Sequence, residues 1–271
     1  MQHLSPLLHT SKGTALLRWA VCLFVLVTFY SCKDGQTPAV TPDPAVPPAA
    51  AQYRLKKAIR TSSTNTTTYT YVYDQAGKLA SYTIRAGAAD GDPAQTTVFS
   101  YGQQGRLISA ERRPASSFTT ARLTYGYDNN GNLSLITVHE DVNKDGQFKL
   151  TQTITLEYGA DKLPVKTTVM SGSRTETTRY TYDHGNAIKT EHTINAGSSQ
   201  VETVQYRHDD KPNPTAGLLI GTPNAEMFNK NNIVYEGSEL TYSNGLLTLI
   251  HTNVKESANV QSYIRYEYEA Y

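Results

Sequence analysis

A polar stretch in the middle of the chain has the spacing of a Ca²⁺-binding loop. Oxygen donors stand at loop positions 1, 3 and 5, and a backbone carbonyl is available at position 7: Asp141, Asn143, Asp145 and Gln147. Gly146 lies at position 6, where such a loop turns sharply, and this order of ligands suits a hard cation. Position 12 is Gln152 instead of a bidentate Glu, so water or a carboxylate such as Glu140 would have to complete the shell. The alternative is a long hairpin tip whose polar residues only make turns.

Residues that could carry catalysis occur without a recognisable spacing. The chain has no Gly-x-Ser-x-Gly, His-Glu-x-x-His, Cys-x-x-Cys or phosphate-binding glycine loop. Five histidines lack the spacing of metal ligands, and we interpret each as a surface residue: His139, His184, His192, His208 and His251. Asp209 and Asp210 are adjacent carboxylates, but Pro212 and Pro214 follow them, which favours turn chemistry. A catalytic nucleophile and base brought together from different strands remain an alternative, because such a pair has no sequence signature.

The N-terminal segment predicts export and lipidation. Lys12 and Arg18 precede an apolar run over residues 19–30, which is typical of a secretory signal and too short for a membrane span. The run ends at Ser31 and Cys32, and the segment resembles a bacterial lipobox. This resemblance implies cleavage before Cys32, which becomes the new N-terminus and is diacylated. Two acyl chains on one residue are sufficient for stable anchoring. The alternative is ordinary secretion with a stray cysteine.

The residues after Cys32 predict a tether and a location. Lys33 and Asp34 resemble the signal that follows the lipidated cysteine in surface-exported lipoproteins of Bacteroidetes. Residues 36–51 are rich in Pro and Ala and should form an extended spacer, with a reach on the order of 45 Å. We therefore divide the chain into a signal peptide (1–31), a lipidated tether (32–52) and one all-β domain (53–271).

The charge balance bears on the class of partner. Residues 1–31 hold two basic residues and no acidic one, which leaves 23 Lys and Arg against 24 Asp and Glu. No basic patch favours nucleic acid, and no acidic run favours a cationic partner. The predicted partners are the membrane, through the lipid anchor, and a glycan, lipid or protein ligand.

A unit made of a Tyr pair, a turn and a Leu recurs at intervals of roughly 24 to 31 residues. Clear copies span residues 71–79, 99–107 and 125–133, and weaker copies span 156–163, 180–188 and 240–247. In the first copy, Asp74 and Gly77 suit a type I turn that ends in a left-handed bulge residue. Such a turn sets Tyr73 opposite Leu79 as an apolar cross-strand pair.

Two weaker copies use different turns. Asn244-Gly245 predicts a two-residue hairpin loop in which Tyr242 again faces Leu247. In the copy over 180–188 the glycine is displaced, and we expect Asn186, which tolerates positive φ, to take the bulge position.

Alternation along the strands predicts one apolar face and one wet face. Tyr69, Tyr71 and Tyr73 should point one way, and Thr68 and Thr70 the other. The inward tyrosines are interpreted as core, with a carbohydrate-stacking platform as the alternative. A short helical turn is predicted near residues 224–228. The fold class is all-β: an antiparallel meander of Tyr-rich hairpins that forms a strongly curved sheet or a barrel-like structure.

Two resemblances follow from these residues. The unit Tyr-x-Tyr-Asp-x-x-Gly-[Lys/Arg/Asn]-Leu resembles the YD repeat of Rhs and teneurin-type proteins, whose hairpins build a large β-shell. Residues 206–214 and 229–234, followed by a Tyr-rich hairpin that ends at 266–268, resemble uncharacterised Bacteroidetes lipoproteins described as having a porin-like fold. The second resemblance implies a curved antiparallel meander and no activity, because fold alone does not supply one.

The sequence therefore predicts a lipid-anchored β-domain at the outer membrane or cell surface. Its expected role is that of a noncatalytic binding or envelope-associated module. The alternative is a surface hydrolase, acting on glycan or lipid, whose site is assembled across strands. No cofactor is expected apart from the candidate Ca²⁺.

Overall fold

The computed structural model describes residues 52–87, 93–115, 119–195, 199–254 and 260–271. The predicted signal peptide, Cys32 and nearly all of the tether lie outside these described residues. No helix within the described ranges has the length and apolarity needed to cross a membrane.

The described ranges contain seventeen strands and one short helix. The strands are β1 (Tyr53–Thr61), β2 (Thr66–Tyr73), β3 (Leu79–Ala86), β4 (Gln95–Tyr101), β5 (Leu107–Pro114), β6 (Ala121–Tyr127), β7 (Leu133–Glu140), β8 (Lys149–Tyr158), β9 (Pro164–Ser171), β10 (Arg174–Asp183), β11 (Asn186–Asn195), β12 (Ser199–Gln205), β13 (His208–Pro212), β14 (Asn231–Ile233), β15 (Ser238–Ser243), β16 (Leu246–Val254) and β17 (Val260–Ala270). The helix is α1 (Ala225–Phe228), near the predicted helical turn, with Asn224 as its N-cap.

Fifteen of these strands form one antiparallel sheet. Strands β1 to β12 follow one another as a meander, and β1 also pairs with β17, so the order continues through β17, β16 and β15. The sheet has β12 and β15 as its edges and does not close on itself. Strands β13 and β14 form a separate pair. This architecture confirms the predicted all-β meander.

The repeated turns have the predicted bulge geometry. Tyr73 pairs with Leu79, and the register shifts by one residue next to this pair. The same arrangement joins Tyr101 to Leu107 and Tyr127 to Leu133. The glycine of each turn has positive φ, which any residue with a Cβ adopts at a cost: Gly77 (78°), Gly105 (72°) and Gly131 (83°). The two-residue Asn244-Gly245 loop is also confirmed, with Tyr242 opposite Leu247.

The turn after β10 differs from its prediction. Asn186 does not take a left-handed bulge position; His184 (φ 49°) and Gly185 (φ 83°) instead form a two-residue loop, and Asn186 pairs with Asp183. Positive φ at both central positions with glycine second is the hairpin turn that matches strand twist, so the turn itself needs no left-handed bulge residue. The register of the hairpin shifts farther along, between Thr181 and Tyr182. As a result Ala187, and not Ile188, faces Tyr182.

Five tyrosines near strand ends are held by their hydroxyls. Each donates to the carbonyl of an apolar residue on another strand, 18 to 22 residues away: Tyr73 to Leu55 (2.8 Å), Tyr101 to Leu79 (2.9 Å), Tyr127 to Leu107 (2.8 Å), Tyr182 to Pro164 (2.9 Å) and Tyr268 to Leu247 (2.7 Å). These are the ladder tyrosines. Pairing of β3 with β4 begins at Ser81, so the Leu79 carbonyl lies beyond it and is free to accept. Each bond contributes about 0.5–1.5 kcal/mol.

The basic residue before the leucine of the unit covers the next ladder ring. The distances from side-chain cation to ring centroid are 4.3 Å for Arg54 over Tyr73, 5.3 Å for Lys78 over Tyr101 and 5.4 Å for Arg106 over Tyr127. A Cβ on Gly105 would lie 2.6 Å from Lys78 Nζ, and one on Gly131 would lie 2.9 Å from an Arg106 guanidinium nitrogen. The turn glycine therefore leaves room for the cation as well as permitting positive φ.

One segment between β13 and β14, residues 213–230, packs on the tyrosine face of the sheet; we call it the insert. Leu218, Leu219, Ile220 and Phe228 pack against the core cluster contributed by strands β1 to β8. Phe228 also meets the Tyr180 ring edge-on at 6.0 Å, and Tyr180 lies on β10. The sheet thus curves around the insert, which fills much of its concave face.

Burial confirms the core interpretation and corrects one face assignment. Tyr71, Tyr82, Tyr125 and Tyr180 are buried on the concave face. Thr68 was predicted on the wet face, yet it is 3% exposed. Its hydroxyl donates to the Gly87 carbonyl at 2.8 Å, which satisfies the buried group.

Candidate functional site

A cavity of about 220 Å³ lies between the insert and strands β1, β2, β3 and β17. Tyr69, Tyr71, Tyr82 and Tyr266 supply its aromatic wall; we call them the cavity tyrosines. Arg60, Asn224 and Glu226 are exposed and also line it, whereas Tyr71 and Tyr82 are buried. The cavity therefore leads from a polar, charged mouth at the surface to buried aromatic rings.

Strand pairing explains why there is space at this point. Ala58 on β1 pairs with Tyr266 on one side and with Tyr69 on the other. Tyr71 pairs directly with Tyr82. Neighbouring strands lie about 4.8 Å apart, so the Ala58 methyl group stands directly between the Tyr69 and Tyr266 side chains. Because the two rings extend much farther from the sheet than the methyl group does, a gap remains above Ala58 on the concave face.

The hydroxyls of the cavity tyrosines differ from those of the ladder. Among the described residues none of the four hydrogen-bonds to a protein group, and none is among the fully occluded, unpartnered polar atoms. They therefore open onto the cavity. Burial raises the pKa of Tyr71, Tyr82 and Tyr266 above the ordinary value, because a phenolate would be desolvated. Each hydroxyl thus stays protonated and can donate or accept a hydrogen bond.

The mouth is held in place by contacts within the insert and with Tyr235, which follows β14. The Tyr235 hydroxyl donates to the Glu226 carboxylate. Burial and the nearby Glu226 charge raise the pKa of Tyr235. Asn213 Nδ2 donates to the Glu226 backbone carbonyl at 2.6 Å, and Asn213 Oδ1 accepts from the Thr215 amide at 2.9 Å. Glu226 is therefore positioned before any ligand arrives.

A network of asparagines fixes the insert to the sheet. Asn229 is fully buried, and its Oδ1 accepts from the Ala187 amide at 2.7 Å. Asn186 and Asn231 exchange two hydrogen bonds of 3.0 and 2.9 Å. Asn186, predicted to serve as a bulge residue, therefore links β11 to β14.

Asp209 and Asp210 do not form a carboxylate pair. Both residues lie in strand β13 and not in the predicted turn, on an irregular stretch between the His208–Ile233 and Pro212–Asn231 pairs. Asp209 accepts from the Lys211 amide at 3.0 Å. It also accepts from the backbone and side chain of Asn232 and from the Tyr242 hydroxyl. The Asp210 carboxylate is exposed and pairs with Lys211, which lowers its pKa. Asp209 is thus a structural acceptor, saturated by donors from β13, β14 and β15.

The histidine interpretation needs one correction. His208 and His251 were predicted at the surface, yet the Nε2 atom of each is occluded and unpartnered among the described residues. Desolvation lowers the pKa of His208. His192 pairs with Glu176 at 3.3 Å.

The Asp141 loop forms a self-contained tip. Asp141 accepts from the amides of Asp145 and Gly146, both at 3.0 Å, and Asp145 accepts from the Gln147 amide at 2.9 Å. Glu140, the proposed extra ligand, pairs with Arg112 at 2.8 Å. In the described part of the chain no group of three or more His, Cys, Asp or Glu is arranged to hold a metal. Ca²⁺ binding at Asp141, Asn143, Asp145 and Gln147 stays a prediction.

Sequence reasoning missed Ala58, Arg60 and Glu226. Ala58 had no signal, because at a period of two it would lie on the face opposite Leu55. The bulge between Leu55 and Lys57 turns both residues inward. Glu226 had none, since its approach to β1 and β17 depends on the path of the insert.

Comparison with known proteins shows fold-level similarity at low identity. No family model matches the chain, and no curated protein matches it. A porin-like protein from Bacteroides uniformis is 13% identical, with a TM-score of 0.47, over 79% of this chain and 96% of that one. A porin-like protein from Bacteroides vulgatus is 11% identical, with a TM-score of 0.37, over 80% and 99%. A crystal structure of TcdB2-TccC3 is 17% identical, with a TM-score of 0.34, over 73% of this chain and 12% of that one. At these scores the similarities carry no argument about function.

Proposed function

We propose that this chain is a lipid-anchored β-domain of the cell surface and acts as a noncatalytic binding module whose ligand site is the cavity. The cavity is the observation that carries the proposal. It combines buried aromatic rings with a few positioned polar groups, which is the usual composition of a small-molecule site. The asparagine network and the Tyr235–Glu226 contact hold these groups in place, which lowers the entropic cost of binding.

The composition of the cavity favours binding over hydrolysis. Glycoside hydrolysis uses two carboxylates that flank the scissile bond. Among the described residues that line the cavity, Glu226 is the one carboxylate. Asp209 is saturated by hydrogen bonds elsewhere. The geometry therefore supports a site that holds a ligand without an acid–base pair.

Ligand binding can be tested with a thermal-shift panel of sugars, fatty acids, amino acids and nucleosides. A ligand present at one hundred times its Kd stabilises the folded chain by about 2.7 kcal/mol. Ala58→Leu should fill the gap between Tyr69 and Tyr266 and abolish the ligand-dependent rise in Tm. Ala110→Leu is the matched control, because Ala110 is equally buried but does not line the cavity. A panel in which no compound raises the Tm of the wild type selectively over Ala58→Leu would overturn the site.

Anchoring is tested separately. Cys32→Ala should release the protein from the membrane fraction, because no thiol remains for acylation. Cys22→Ala, which changes the other cysteine of the chain, should leave fractionation unchanged. Retention of the Cys32→Ala protein in the membrane fraction would contradict the lipid anchor.

A further inference from the structure

We infer that the ligand of the cavity is a neutral sugar residue. This inference rests on the proposed binding function and specifies its chemistry. Three properties of the cavity carry it: the unpaired tyrosine hydroxyls, the paired aromatic rings and the opposite charges at the mouth.

The hydroxyls require a ligand with many hydrogen-bonding groups. Tyr71 and Tyr82 are each 7% exposed, and among the described residues their hydroxyls have no protein partner. An acyl chain that filled the cavity would strip these groups of water and leave them unpaired, which is unfavourable. A sugar ring carries several hydroxyls, each a donor and an acceptor, and can pair with them.

The rings require a ligand that also has an apolar face. Tyr69 and Tyr82 stack at 6.0 Å with an interplanar angle of 11°, and Ile264 and Leu218 line the same cavity. A pyranose has C–H groups on its face and hydroxyls at its rim, so one molecule can satisfy both kinds of wall. A purely polar metabolite would leave the rings and aliphatic groups without apolar contact.

The mouth favours a ligand without net charge. Arg60 and Glu226 both line the cavity, so an anion that approached Arg60 would also meet Glu226, and a cation would meet Arg60. Planar guanidinium, carboxylate and amide groups, the last from Asn224, can instead bridge neighbouring hydroxyls of a neutral ring.

The size of the cavity favours one ring. Sites for drug-sized ligands have volumes of about 300–1,000 Å³, and this cavity has about 220 Å³. It therefore fits a single sugar unit, with any further glycan outside the exposed mouth.

The test measures binding of named sugars to the full-length chain in lauryldimethylamine oxide micelles, a detergent without sugar. The neutral probes are the methyl glycosides of glucose, galactose, mannose and N-acetylglucosamine; glucuronate, glucosamine and decanoate are the charged and acyl comparisons. Isothermal titration should show binding of at least one neutral glycoside, with Kd at least about fivefold higher for the charged sugars.

Variants that remove only a hydroxyl locate the effect. Tyr71→Phe and Tyr82→Phe keep the rings and should each raise the Kd about two- to tenfold. Tyr125→Phe is the matched control, because Tyr125 is equally buried on the same face but does not line the cavity, and its Kd should equal that of the wild type. The same loss with Tyr125→Phe would overturn the placement of the sugar in the cavity.

The outcomes separate this inference from the proposed function. Binding of decanoate alone, abolished by Ala58→Leu, would overturn the sugar assignment and leave the binding module intact. Equal affinity for neutral and charged sugars would overturn the requirement for neutrality. Failure of every neutral glycoside to bind at tens of millimolar would overturn the inference, while the wider thermal-shift panel decides the binding function on its own.

Discussion

The ladder tyrosines and the cavity tyrosines occupy the same concave face but complete their hydrogen bonds differently. Tyr127 at a turn donates to the Leu107 carbonyl at 2.8 Å. Tyr71, two residues before a ladder tyrosine on the same strand, has no protein partner for its hydroxyl among the described residues. The residue type is the same in both regions. What differs is whether a neighbouring carbonyl lies within reach of the ring.

The difference shows how tyrosines on one face can serve two structural roles. At the turn end, the carbonyl of the unit's leucine lies beyond the pairing with the following strand. The hydroxyl of the tyrosine in the next unit therefore donates a hydrogen bond to this carbonyl. Farther along the strands, the rings of the cavity tyrosines line the cavity together with residues of the insert. Their hydroxyls are the polar groups that we propose to pair with a ligand.

Removal of a whole ladder side chain should have the largest effect. Tyr127→Ala removes a packed ring, a hydrogen bond and a cation–ring contact, so it should lower the free energy of unfolding by about 3 kcal/mol. Urea denaturation measures the change. Thr181→Ala, on the exposed opposite face, should cost well under about 1 kcal/mol. Equal losses at the two positions would show that the two faces are not distinct.

Removal of the hydroxyl alone tests the comparison directly. Tyr127→Phe should cost about 1 kcal/mol, because the Leu107 carbonyl loses its donor. Tyr82→Phe should leave the free energy of unfolding nearly unchanged, since the Tyr82 hydroxyl makes no hydrogen bond to another described residue. The comparison fails if the two substitutions cost the same in urea denaturation.

Alkaline pH should weaken the fold through the ladder. Burial raises the pKa of Tyr73 to about 12 from its ordinary value of 10.0, so the folded state favours the neutral phenol. This contribution is fully present below pH 10 and is lost as the pH rises towards 12. Stability measured across this window should fall less steeply in Tyr73→Phe than in the wild type. Identical slopes would mean that Tyr73 titrates as it does in the unfolded chain.

The smallest expected effect is that of Ca²⁺ at the hairpin tip of the Asp141 loop. At another hairpin tip, the Asp128 carboxylate accepts hydrogen bonds from the amides of Asn132 and Asn130 within its own turn. These bonds lower the pKa of Asp128. Asp141 accepts similar amide bonds, and its spacing also suits Ca²⁺. We expect an affinity of roughly 10⁻⁴ M or poorer, so millimolar Ca²⁺ should raise the Tm slightly. Asp145→Ala should abolish that rise, and a wild type insensitive to Ca²⁺ would make the loop an ordinary tip.

Local turn chemistry could be predicted from the sequence and the path of the insert could not. Asp74, Gly77 and Asn244-Gly245 indicated their turns because φ preferences and short-range hydrogen bonds act within a few residues. The turn at His184-Gly185 was wrong because both a bulge and a two-residue loop satisfy the same residues, and Asn186 is instead drawn to Asn231, 45 residues away. Thr68 was misassigned because its partner, the Gly87 carbonyl, lies 19 residues away at the open end of the β2–β3 hairpin, beyond the reach of local alternation.

By itself, the sequence determined the all-β class, the repeated hairpins and the Tyr–Leu pairs, because strand period and turn preferences are local properties. Only the tertiary structure decided that β17 pairs with β1 to continue the ladder from Leu247 through Leu55. It alone also brought Glu226 and Arg60 to the same cavity as the cavity tyrosines. These contacts join segments about 165 to 215 residues apart, and side-chain identity does not encode which distant surfaces meet until the sheet has curved around the insert.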